Sequence, residues 1–189
     1  MTVLGNGLYG ADHHEDALPV YEAELSMKRR HNASEESLLS GLANLAVTYG
    51  MVGRHEKAVG MLRDIYSGSL RLYGEDNRRT LISASNYAAS LRDHDSFEEA
   101  RLLLRKTLPV ARRVLGDKDR ITLTMRKIYA TALYEDDSST SDDLREAVTT
   151  LEETERTARR VFGGTHPLTV DIEDNLRMAR AELREAGGA

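Results

Sequence analysis

The sequence predicts an all-α protein of stacked, antiparallel helix pairs. Three periodic columns predict it. Ala17, Ala58, Ala100 and Ala147 recur 41, 42 and 47 residues apart. Gly74, Gly116 and Gly163 each follow an alanine of that series by 16 residues, and Thr80, Thr122 and Thr169 each follow those glycines by 6. A period of this size marks a repeat protein, because one unit cannot bury its own apolar face and needs neighbours. The expected organisation is a single repeat domain over 1–189, with units over 1–33, 34–75, 76–117 and 118–164 and a closing helix over 167–186. Nine helices are expected in all.

The elements follow in order. Val3 to Tyr9 align with Asn44 to Gly50, so the first helix begins halfway through its unit. It carries Gly5, Gly7 and Gly10, which are poor helix formers. Two readings fit: a sequence that starts inside a repeat array, or a frayed first helix. The second unit holds Asn44-Leu45-Ala46-Val47-Thr48-Tyr49 on its first helix, and Gly53-Arg54-His55-Glu56-Lys57-Ala58 opens its second. The third unit is the clearest. Leu81, Ser85, Ala88 and Leu91 share one helical face, and Arg92 to Ser96 form a polar turn. Ser96-Phe97-Glu98-Glu99 has capping-box spacing. The next helix puts Ala100, Leu103, Leu104, Leu108 and Ala111 on one side and ends at Gly116, which can adopt the left-handed conformation that closes helices. In the fourth unit a five-residue insertion lengthens the spacing to 47. Its segment, Glu135 to Asp143, is acidic, rich in Ser and Thr and free of apolar residues, so it is expected to be a mobile loop and a candidate phosphorylation segment at Ser138, Ser139, Thr140 and Ser141. Leu168 to Arg184 repeat only a first helix, as a polar closing element does. Small residues fill one slot per helix, with Ala46, Ala88 and Ala130 as the first-helix counterpart of the alanine series.

Composition narrows the function classes. The 189 residues carry a net charge of −5, which does not indicate a nucleic-acid or anionic-membrane partner. No run of about 18 apolar residues exists to span a membrane. There is no cysteine, which excludes disulfides, thiolate metal sites and a thiol nucleophile, and fits a reducing, cytoplasmic setting. No Ser/His/Asp order, phosphate loop or carboxylate pair suggests catalysis, so no enzyme and no cofactor is expected.

The helix residues quoted above, with the loop Phe162-Gly163-Gly164-Thr165-His166-Pro167, resemble the tetratricopeptide repeat family, in its longer kinesin-light-chain-like form. The other inter-repeat loops read Gly74-Glu75-Asp76-Asn77 and Gly116-Asp117-Lys118-Asp119, without His-Pro. The resemblance implies a right-handed α-α superhelix, a non-catalytic role and a concave groove for a protein or peptide ligand. In that family the first helices line the groove. The residues that would face it are Asn44, Val47, Ile82, Ser85, Asn86, Ala89, Arg92, Lys127 and Thr131, flanked by Ser40, Ala43, Asp93 and Thr124. Asn44, Asn86 and Asn175 share one column. A side-chain amide there can hold an extended peptide backbone as donor and acceptor, or it can bond a neighbouring helix instead. An assembly role is the alternative function, with self-association through the truncated first repeat.

Two further columns have structural readings. Arg30, Arg71, Arg113 and Arg160 form a column that could read as a basic stripe for phosphates, but each sits in a last helical turn, where a cation offsets the negative end of the dipole, and that reading is favoured. His14 and His55 share the slot of Phe97, where a flat ring packs, and His166 precedes Pro167 at a helix start. No pair of histidines has ligand spacing on one helical face, so no metal is expected.

Overall fold

A computed structural model of the chain describes Gly5, Gly7, Tyr9 and residues 13–187. Eight complete helices lie among them: α1 (His14–Arg30), α2 (Glu35–Met51), α3 (His55–Tyr73), α4 (Arg78–Arg92), α5 (Phe97–Leu115), α6 (Arg120–Tyr134), α7 (Ser141–Phe162) and α8 (Pro167–Gly187). Gly5, Gly7 and Tyr9 are helical too, where the truncated first helix is expected. Leu4 and Leu8 of that helix lie outside the described residues. The helices continue through Pro19 and Pro109, so packing overrides two residues that weaken helices in isolation.

The chain packs as two compact units, Met1–Glu75 and Asp76–Ala189. In the first, Ala17, Leu18, Tyr21 and Leu25 of α1 bury against Leu45, Tyr49 and Ala58. In the second, one core runs from Leu81 and Ala88 through Leu104, Leu123 and Leu151 to Ile172 and Ala179. The predicted small slots are closed: Ala88, Ala100, Ala130 and Ala147 are all at 0% exposure. Within this unit the first helices α4, α6 and α8 pack on one another, while the second helices α5 and α7 share no comparable contact. A furrow therefore separates α5 from α7.

The caps differ from the sequence expectation. Ser96 makes no side-chain cap; its hydroxyl donates instead to the His94 carbonyl at 3.4 Å. The complete capping box is at Thr140 and Asp143: Thr140 Oγ1 accepts from the Asp143 N–H, and Asp143 Oδ2 accepts from the Thr140 N–H at 3.0 Å. The acidic insertion is thereby tied down. Asp136 accepts from the Ser138 hydroxyl, and from the Ser138 N–H and Arg101 of α5 each at 2.9 Å; the hydroxyl bond first, then the N–H bond and the Arg101 charge, hold its carboxyl below the usual range. Ser141 to Asp143 already belong to α7, so the expected nine-residue loop is shorter.

Gly74, Gly116 and Gly163 close α3, α5 and α7 at φ of 78°, 87° and 89°. At Gly116, ψ is 161°, so the residue is not in the ordinary left-handed helical region but in one that essentially only glycine occupies. A Cβ there would meet no atom within 4 Å, so the requirement is conformational, not steric. Gly116→Ala is expected to cost about 1–3 kcal/mol in urea unfolding. An unchanged midpoint would mean that the loop relaxes to negative φ at no cost.

Candidate functional site

The first-helix columns supply the candidate residues, and each unit places its own. In the first unit Asn44 and Val47 come one turn apart on α2, and with Tyr9 and Tyr21 they line a pocket of about 140 Å3. Val47 is 45% exposed, unusual for a branched aliphatic residue on a helix otherwise packed against its neighbours. Among the described residues the Asn44 amide makes no hydrogen bond; only its backbone carbonyl is engaged, by Thr48 Oγ1 at 2.8 Å.

In the second unit Ile82, Asn86 and Ala89 follow one another along α4 at helical spacing. Asn86 is exposed, Ile82 and Ala89 half-buried. The Asn86 side chain likewise makes no hydrogen bond among the described residues. Ser85 is buried at 4% exposure, so it faces the packed layer. Arg92, at the end of α4, donates from Nε to Asp93 Oδ1 at 2.9 Å. Its charge also faces Glu135, whose carboxyl burial pushes up against the opposing pull of Arg92.

The third part of the column behaves differently. Asn175 of α8 is 8% exposed and fully engaged. Its Oδ1 accepts from Thr131 Oγ1 at 3.0 Å and from Tyr134 OH at 2.8 Å, and its Nδ2 donates to the Asp171 carbonyl at 2.7 Å. Lys127 Nζ donates to Asp171 Oδ2 at 2.6 Å. Thr131 is 1% exposed. Thus Lys127, Thr131 and Asn175 fasten α8 to α6 and have little left to offer a ligand. Tyr134 and Asp171 complete this network. Sequence reasoning did not single them out, although Tyr134 lies three residues after Thr131 and Asp171 four before Asn175, both same-face spacings.

Of the remaining sequence candidates, His166 Nδ1 accepts from the Leu168 N–H at 3.1 Å and its ring stacks on Phe162 at 4.7 Å, so it caps α8. His14 packs on Tyr9 at 4.7 Å, whereas His55 is exposed and does not fill the ring slot. Among the described residues no three His, Asp or Glu side chains gather as a metal site. No described helix is long and apolar enough to cross a membrane.

The contrast between spent and free groups can be measured. Asn175→Ala leaves the buried Tyr134 hydroxyl without its acceptor, while the Thr131 hydroxyl keeps the Lys127 carbonyl at 2.9 Å, and should cost about 1–3 kcal/mol in urea unfolding, with faster hydrogen exchange in α8. Asn86→Ala should stay within about 0.5 kcal/mol of the parent. Equal effects would contradict the assignment. The tyrosines give a pH dependence. Burial raises Tyr134, Tyr129, Tyr21 and Tyr66 above the ordinary 10.0, and the hydrogen bond to Glu22 raises Tyr49. The folded state therefore holds these protons to higher pH than the unfolded chain. Stability should be complete below about pH 10 and fall above it, as unfolded tyrosines ionise first. Urea midpoints measured on either side of that pH check the sign, and Tyr134→Phe should shallow the fall.

Residues 34–113 match the tetratricopeptide repeat family model. None of the curated proteins matches the chain in sequence. Among solved structures, a putative kinesin light chain of Podosopora anserina with nearly identical repeats matches with a TM-score of 0.76 at 20% identity, over 98% of this chain and 87% of that one. A singly substituted form of that protein gives 0.78 at the same identity and coverage. BtubC (BKLC) from P. vanneervenii matches with a TM-score of 0.76 at 16% identity, over 99% of this chain and 74% of that one. Residues 34–113 are thus similar to tetratricopeptide repeats, and the chain shares the all-α fold of these kinesin-light-chain-like repeat structures.

Proposed function

We propose that this chain is a non-catalytic interaction module that binds extended partner-protein sequence on the first helices of its units, each unit through its own asparagine, in a cytoplasmic setting. Tetratricopeptide repeats serve in general as protein-interaction scaffolds, and the observation that points to this surface is the split within the asparagine column. Asn175 is consumed by the closing helix, while the Asn44 and Asn86 amides are left unbonded among the described residues. Each can offer a donor and an acceptor to a peptide backbone. Val47 and the pocket it shares with Tyr9 and Tyr21 suit an apolar side chain of that segment. Arg92 and Lys127 are already paired with Asp93 and Asp171, so the surface does not favour a strongly acidic segment.

The test is selection of binding peptides from a displayed random library, followed by titration of the best of them into Asn44→Ala/Asn86→Ala. The double variant should bind about tenfold or more weakly at unchanged thermal stability, since each amide hydrogen bond contributes about 0.5–1.5 kcal/mol. Equal binding by both proteins would remove the groove reading. The alternative, self-association through the first repeat, would instead show as a change of sedimentation on placing a charge at Leu4 or Leu8, with no effect of the asparagine variants.

A further inference from the structure

The furrow between α5 and α7 holds a second site. It is a pocket of about 320 Å3 lined by Arg112 of α5, Arg126 of α6, Arg156 and Arg160 of α7, and the carboxylates of Asp117 and Glu153. Four guanidinium groups face two carboxylates, an excess of two positive charges on a chain whose net charge is −5. The last turns of α5 and α7 each present about half a negative charge, which this excess still exceeds.

The arginines are held without being used up. Arg112 Nε donates to Asp117 Oδ1 and Arg126 Nη2 to Glu153 Oε2, each at 2.6 Å. Arg156 Nε donates to the Glu152 carbonyl at 3.2 Å. Arg160 makes no bond among the described residues. Each guanidinium carries five N–H donors, so most remain available. The side chains come from three helices and so approach from three directions. Such donors suit the three terminal oxygens of a phosphoryl group better than the two of a carboxylate. A phosphate monoester, at about −1.5 to −2 near pH 7, also matches the excess charge.

We propose that this pocket binds a phosphate monoester dianion, on a surface separate from the first-helix groove. The volume leaves room for the group that carries the phosphoryl, either a phosphorylated side chain of a protein segment or a small phosphorylated metabolite.

The experiment is calorimetric titration of the whole chain with three probes at matched ionic strength: a Gly/Ser peptide bearing one phosphoserine, its unphosphorylated form, and glycerol 3-phosphate. Arg156→Ala/Arg160→Ala is the test variant, both residues being exposed. Arg113→Ala, one residue beyond Arg112 and bonded to Asp76, is the control, and circular dichroism checks that both fold. Saturable binding of a phosphorylated probe is expected, weakened about tenfold or more in the double variant and unchanged in the control. Preference for the phosphopeptide identifies a protein segment as the source; glycerol 3-phosphate binding as tightly as the peptide, or more so, identifies a small phosphate monoester. No heat beyond that of sodium chloride, binding of the unphosphorylated peptide equal to the phosphorylated one, or equal affinity in the double variant overturns the proposal.

Discussion

Everything in the second unit depends on how closely helices can approach at the alanine slots. Ala88 and Ala130 on first helices, with Ala100 and Ala147 on second helices, have no exposed surface at all. A larger side chain would hold the backbones apart, and in a close-packed interior each extra methylene is felt. Close approach lets α4, α6 and α8 form one contiguous layer. The second helices, each packed against its own partner and the next first helix, are left farther from one another. The same constraint therefore creates two kinds of surface: a continuous first-helix face, and a furrow between α5 and α7.

What each surface can do is decided by which polar groups the packing has already consumed. A column of one residue type does not imply one role. Asn175 lies where the closing helix meets α6, and there its amide oxygen accepts from the Thr131 hydroxyl and from the Tyr134 hydroxyl, which would otherwise be buried without a partner. At Asn86 no neighbour among the described residues reaches the amide, so it stays in water. Lys127 and Arg92 repeat the lesson for charge, since both sit beside a carboxylate that discounts them as ligand-reading cations.

The periodic part of this organisation was legible in the sequence because it rests on backbone geometry, which recurs with the repeat. The alanine slots, the closing glycines and the polar last helix all belong to that part. Contacts that occur once were not legible. Ser96 and Thr140 both head segments with capping spacing, yet only Thr140 forms the box. Asp143 comes back to it within the first turn, while the Ser96 hydroxyl turns instead to the His94 carbonyl. Nor could the alignment show that Lys127 and Thr131 would be bonded by α8, because their partners there, Asp171 and Asn175, stand where α6 carries Thr124 and Ile128. The glycine conformation at Gly116 was anticipated in sign but not in ψ, a detail set by how the following loop turns toward α6.

The arginine column shows how a residue kept for one reason can serve another. A cation in a last turn offsets the helix dipole wherever it stands, and this accounts for Arg71, Arg113 and Arg160 alike. It does not fix what the guanidinium touches. Arg71 finds Glu35 and Arg113 finds Asp76, each a carboxylate at or just before the start of the preceding first helix. The corresponding place in the fourth unit offers Lys118 between two carboxylates that are already engaged, Asp117 by Arg112 and Asp119 by Arg78. Arg160 is left facing the furrow with Arg156 one turn behind it. Changing Lys118 would therefore matter less than changing Asp117, since only Asp117 holds an arginine of the pocket in place. A structural cation becomes available to a ligand where its customary carboxylate has been lost or diverted.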